Sequence, residues 1–130
     1  MDINASEEWE EDFAWLKVRH YVKDTFKKNK LPDLNAVLMV IGINELGMVR
    51  TKWSKEEKQD LMHIAVCKLL SFDGIYGFKG LDADGWPHYE ILQPIAIKGV
   101  KQQEALLKRK AIQYFDILEK QTLNNAEINI

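Results

Sequence analysis

Glu56, Asp60, His63 and Cys67 follow one another at spacings of four, three and four residues. On a helix that spacing sets all four side chains on one side. Carboxylate, imidazole and thiolate are zinc-ligand types, and a site built on Asp60, His63 and Cys67 would need three or four donors converging at about 2.0 to 2.3 Å. His88 is the candidate that another element could supply. Cys67 and His63 could also stand as nucleophile and base, but no orienting third group or oxyanion donor is evident beside them. The plainer account is structural: charged residues four apart are commonplace on a solvated helix face, and a lone helical cysteine is ordinarily a small buried hydrophobe.

A second group surrounds Trp86. From Ile75 to Gln93 apolar and polar residues alternate with period two, which predicts a hairpin: IYGFKGL, the loop DADG, then WPHYEILQ. With Leu81 opposite Trp86, the expected pairs are Lys79 with His88, Phe78 with Tyr89 and Tyr76 with Ile91. Tyr76, Phe78, Tyr89 and Ile91 then form an inner face, and Lys79, Leu81, Trp86, His88 and Glu90 an outer one. Tryptophan is the residue type most enriched among binding hot spots, so the expected contact surface is Trp86 and His88 with Lys79, Glu90, Asp82 and Asp84. The alternative is that the first or last helix covers Trp86. Asp82-Ala83-Asp84-Gly85 does not fit a calcium loop, because Gly85 in sixth place puts Gly80 first and Ile91 twelfth, where carboxylates are required. A turn is the expected structure.

The elements that must position these groups are well marked. Between Leu34 and Leu46 nearly every residue is apolar, which predicts a central helix wrapped on all sides, with Asp33 as N-cap and Gly47 ending it. Ser54 and Glu57 match a capping box that starts a third helix running to about Ser71, its core face being Leu61, Met62, Ala65, Val66, Leu69 and Leu70. The first helix is expected from Ser6, with Glu7, Glu8 and Glu10 in its opening turn, to about Lys28. It carries two apolar stripes: Trp9, Phe13, Leu16 and His20 on one, and Ala14, Trp15, Val18, Tyr21, Val22 and Phe26 on the other. One stripe suffices for core packing, so the other lies beneath the hairpin or serves self-association. Pro94 and Gly99 bracket a linker to a last helix, Val100 to about Gln121, with Leu106, Leu107, Tyr114, Ile117 and Leu118 inward.

The expected fold is therefore α+β and mostly helical: one domain over residues 1–130, frayed at 1–5 and 122–130, with four helices and an antiparallel hairpin between the third and fourth. The order helix, helix, helix, hairpin, helix resembles a winged helix, which implies a third helix that reads DNA and a hairpin that acts as wing. The charges oppose that use, since Glu56, Glu57 and Asp60 stand on the reading helix and Asp82 and Asp84 at the wing tip. Composition narrows the classes further. Of 130 residues, 46% are hydrophobic and 29% charged, the balance of a soluble globular protein. One cysteine permits no internal disulfide, and the acidic start MDINASEEWEED has no export signal, so a cytoplasmic location is expected. The longest apolar run is far short of the roughly 20 residues a bilayer span needs. Net charge of -2 offers phosphate backbones no general attraction. No phosphate loop, paired-cysteine knuckle or serine elbow occurs, and no cofactor is implied. The expectation is a non-catalytic protein-protein interaction or structural module, with a protein partner or a homodimer. Nucleic-acid binding and a metal or small-enzyme site are the alternatives.

Overall fold

The computed structural model describes residues 3–128, with side chains from 8 to 125. The chain runs α1 (Ile3–Thr25), α2 (Leu34–Leu46), α3 (Lys55–Ser71), β1 (Tyr76–Leu81), β2 (Pro87–Ile91) and α4 (Val100–Ile128). This is the expected mostly helical α+β fold, with the antiparallel hairpin between α3 and α4. No described helix is long and apolar enough to cross a membrane.

The helix ends follow local chemistry. The Asp33 carboxylate accepts from the Ala36 amide at 2.9 Å, and Gly47 closes α2 in the left-handed conformation at φ 73°. Ser54 and Glu57 form the reciprocal capping box of α3. Three boundaries differ from expectation. Because α1 already begins at Ile3, Ser6 and Glu7 stand inside the helix rather than at its start, and their side chains lie outside the described residues. The same helix ends at Thr25 because Lys27 adopts φ 53°, which halts the repeat short of Lys28. At the other terminus α4 continues to Ile128, past Gln121.

All four helices contribute to one core. Val18 and Val22 from α1, Val37, Leu38, Val40 and Ile41 from α2, Ala65 and Leu69 from α3, and Ala111 and Tyr114 from α4 are buried together. Gly42 brings α2 and α3 into close approach, since a Cβ there would stand 2.1 Å from the Leu61 carbonyl oxygen. Tyr114 ties α4 to α2 by donating to Glu45 at 2.7 Å. Burial first, then that hydrogen bond, pushes the Tyr114 hydroxyl well above its ordinary pKa. Ile117, expected inward, is exposed, since the buried face of α4 centres on Ala111 and Tyr114.

The second stripe of α1, around Val18 and Val22, enters the core, whereas Trp9, Phe13 and Leu16 remain exposed. Of the two alternatives for the spare stripe, cover by the hairpin is overturned, because both strands pack on α3. α3 is accordingly buried on two sides. Ala65 and Leu69 face the helices, while Ile64 and Cys67 lie under the hairpin and are closed off as well.

Candidate functional site

The hairpin register corrects the period-two reading. Tyr76 pairs with Ile91 and Phe78 with Tyr89 as expected, but Gly80 then faces His88 and Leu81 faces Pro87. Lys79 is the extra residue of a bulge, so the pairs Lys79 with His88 and Leu81 with Trp86 do not form. Gly80 makes the bulge possible: its φ of 124° is a conformation side chains other than hydrogen rarely adopt. Beyond it, faces assigned by simple alternation no longer hold.

Burial departs from the predicted faces too. Phe78 and Ile91, expected inside, are 60% and 65% exposed, whereas Leu81, expected outside, is 66% exposed. A two-stranded ribbon twists strongly, and only part of this one touches α3. Tyr76, Pro87 and Tyr89 make the anchored part: Pro87 is buried, and Tyr76 stands edge-on to His63 with centroids 6.4 Å apart. Burial raises the Tyr89 hydroxyl to about 12, with Glu45 and Cys67 adding to the effect.

The tip is organised by Asp82. One carboxylate oxygen accepts from the amides of Asp84 and Trp86 at 2.9 and 3.0 Å, and the other pairs with His88 Nε2 at 2.9 Å. His88 foremost, then the Trp86 amide, holds the Asp82 carboxyl below its ordinary value. Trp86 is neither free nor covered by the first or last helix. Its ring stands edge-on to Trp53 at 6.3 Å, Arg50 lies 4.4 Å above Trp53, and Arg50 pairs with Glu57 at 2.7 Å. The sequence reading missed this ladder, although an aromatic and an arginine in the short α2–α3 connection were its visible signal. Lys79 and Asp84 are exposed near the tip, and Glu90 is exposed at the other end of the hairpin, opposite Gly77.

Between α3 and the hairpin lies a cleft of about 250 Å³ lined by Asp60, His63, Cys67, Asp82, His88 and Tyr89, among others. The metal candidates thus share a cleft with His88, as their spacing allowed, while Glu56 is exposed and does not line it. They do not converge: among the described residues no three His, Cys, Asp or Glu side chains are grouped closely enough to hold a metal ion. His63 Nε2 and Cys67 Sγ are 3.5 Å apart. Cys67 is 1% exposed, and burial raises its thiol to about 11. A thiol so placed stays protonated near neutral pH and is a weak nucleophile. The arrangement can anchor the hairpin, and it lacks an activated nucleophile. Compared with protein-family models, with curated proteins and with solved structures, the chain matches none.

Proposed function

We propose that the protein is a non-catalytic binding module that docks an apolar segment of a protein partner on its hairpin. The observation that carries this reading is the exposure of Phe78, Leu81 and Ile91, which stand open to solvent on a ribbon fixed to α3 by Tyr76, Pro87 and Tyr89. Large apolar side chains held open to solvent on an anchored ribbon are a recognition feature rather than a packing one. Among the described residues no third strand borders either edge of the hairpin, which lets an extended peptide add to the ladder. Asp82, Asp84 and Glu90 outnumber Lys79 around that surface, so basic groups flanking the apolar segment complete the fit. Trp86 and His88 shape the edge of this site in concert with Asp82. The same acidic tip disfavours nucleic acid, and the protonated, buried Cys67 disfavours covalent catalysis.

Selection of a random peptide library on the immobilised protein tests the proposal. Enriched peptides should share an apolar core with flanking Lys or Arg, and should lose binding to a Leu81→Ser, Ile91→Ser variant whose thermal midpoint is unchanged. Peptides that bind this variant equally well would place recognition elsewhere. A duplex-DNA mobility shift that weakens steeply with salt would favour the nucleic-acid alternative.

A further inference from the structure

We propose that the outer stripe of α1 is covered by a second copy of this chain, the two α1 helices packing antiparallel about a twofold axis. At about 100° per residue, Trp9, Phe13, Leu16 and His20 lie on the side of α1 opposite buried Val18. Trp9 and Phe13 are 67% and 50% exposed and stack on each other at 5.6 Å, so the stripe is an ordered apolar surface. Its spacing of four, three and four is the same read in either direction. An axis crossing between Ala14 and Trp15 therefore sets Trp9 level with the second copy's His20, and Phe13 level with the second copy's Leu16. That is the alternating layer pattern of a short two-helix seam.

The flanking charges favour the antiparallel direction. Glu10 and Lys17 flank the stripe on one side, Asp12 and Arg19 on the other, with both acids toward the N-terminus and both bases toward the C-terminus. In antiparallel packing Glu10 meets the second copy's Lys17, and Asp12 meets the second copy's Arg19, and the axis repeats each pair. Parallel packing would face Asp12 with the second copy's Lys17 and leave Glu10 without an opposing base, whereas the antiparallel seam uses all four groups. Among the described residues, Glu10, Asp12 and Lys17 make no ion pair within the chain. Arg19 uses only Nε, donating to the Pro32 carbonyl at 2.7 Å, which steadies the side chain and leaves the rest of the guanidinium for the partner. The seam ends where Lys23 replaces the next apolar position. With buried aromatics contributing about 150 to 250 Å² each, the interface is at the small end of specific ones, so the dimer is reversible. This inference does not depend on the hairpin site.

Sedimentation velocity over a dilution series of the full chain, with thermal midpoints as folding controls, is the test. The native chain should move between monomer and dimer mass, and Leu16→Asp should hold it at monomer mass. Glu10→Lys alone and Lys17→Glu alone should each weaken the dimer roughly tenfold, because two attractive contacts become repulsive. Mixing these two variants should restore native affinity, since in the mixed dimer every reversed group again faces its opposite. The proposal is overturned by monomer mass at every concentration, by a dimer indifferent to Leu16→Asp, or by single reversals that fail to recover on mixing.

Discussion

The α1 and α2 helices are both rich in large apolar residues, and they meet opposite fates. α2 sits between α1, α3 and α4, and six of its residues from Val37 to Leu46 are buried. α1 is an outer element that touches α4 and α2 on one side only, so Val18 and Val22 are buried while Trp9, Phe13 and Leu16 face solvent. Apolar content measures what an element could bury, and position in the fold decides what it does bury. The excess is then available for association.

Substitutions along both helices can break or sharpen this contrast. The largest effect is expected at Ile41, which has no solvent exposure and lies at the centre of the core. Ile41→Ala should cost roughly 2 to 5 kcal/mol in chemical denaturation. Gly42→Ala should cost about 3 kcal/mol, at the upper end of overpacking effects, because backbone rather than a movable side chain occupies the space of the new methyl. A neutral result there would mean that α2 and α3 are not in close approach. On the buried side of α1, Val22→Ala should lose about 2 kcal/mol. On its outer side, Phe13→Ser should change monomer stability by only about 0.5 kcal/mol, measured at a dilution that suppresses association. Equal losses at Val22 and Phe13 would erase the distinction between the two stripes.

A pH titration probes burial beneath the hairpin in the same terms. The Cys67 thiol ionises in the unfolded chain near its ordinary 9.0 and in the native protein at about 11. Stability from the protonated form is thus complete below about pH 9 and declines as pH rises toward 11, because the unfolded state gives up its proton first. In the profile of thermal midpoint against pH, Cys67→Ala should remove the part of the decline that begins near pH 9, leaving the loss above about pH 10 that the raised Tyr89 and Tyr114 hydroxyls contribute. In the same range, alkylation of native Cys67 should remain far slower than that of the unfolded chain.

Much of the scaffold was legible because its signals are local. Asp33, Gly47 and the Ser54–Glu57 box act within a single turn, and the structure uses each where the sequence places it. The candidate site was legible only in part. Asp60, His63, Cys67 and His88 do reach one cleft, but convergence to bonding distance depends on how far the hairpin stands from α3, which spacing along either element does not set. The Trp53 contact to Trp86 was hidden for the same reason, its partners being joined only after the α2–α3 connection folds against the tip.

By itself the sequence determined the kinds of element, their order, most of their ends and the residues that share each helical face, since these follow from backbone periodicity and capping within a few residues. Tertiary structure alone decided which faces are covered. It set the hairpin on α3 rather than on α1, displaced the register through the bulge at Lys79 and Gly80, and left the Trp9, Phe13 and Leu16 stripe open. The physical reason is that apolar burial has no direction of its own: any apolar face lowers its free energy against any other, and the choice among them is made by the shape of the whole assembled core.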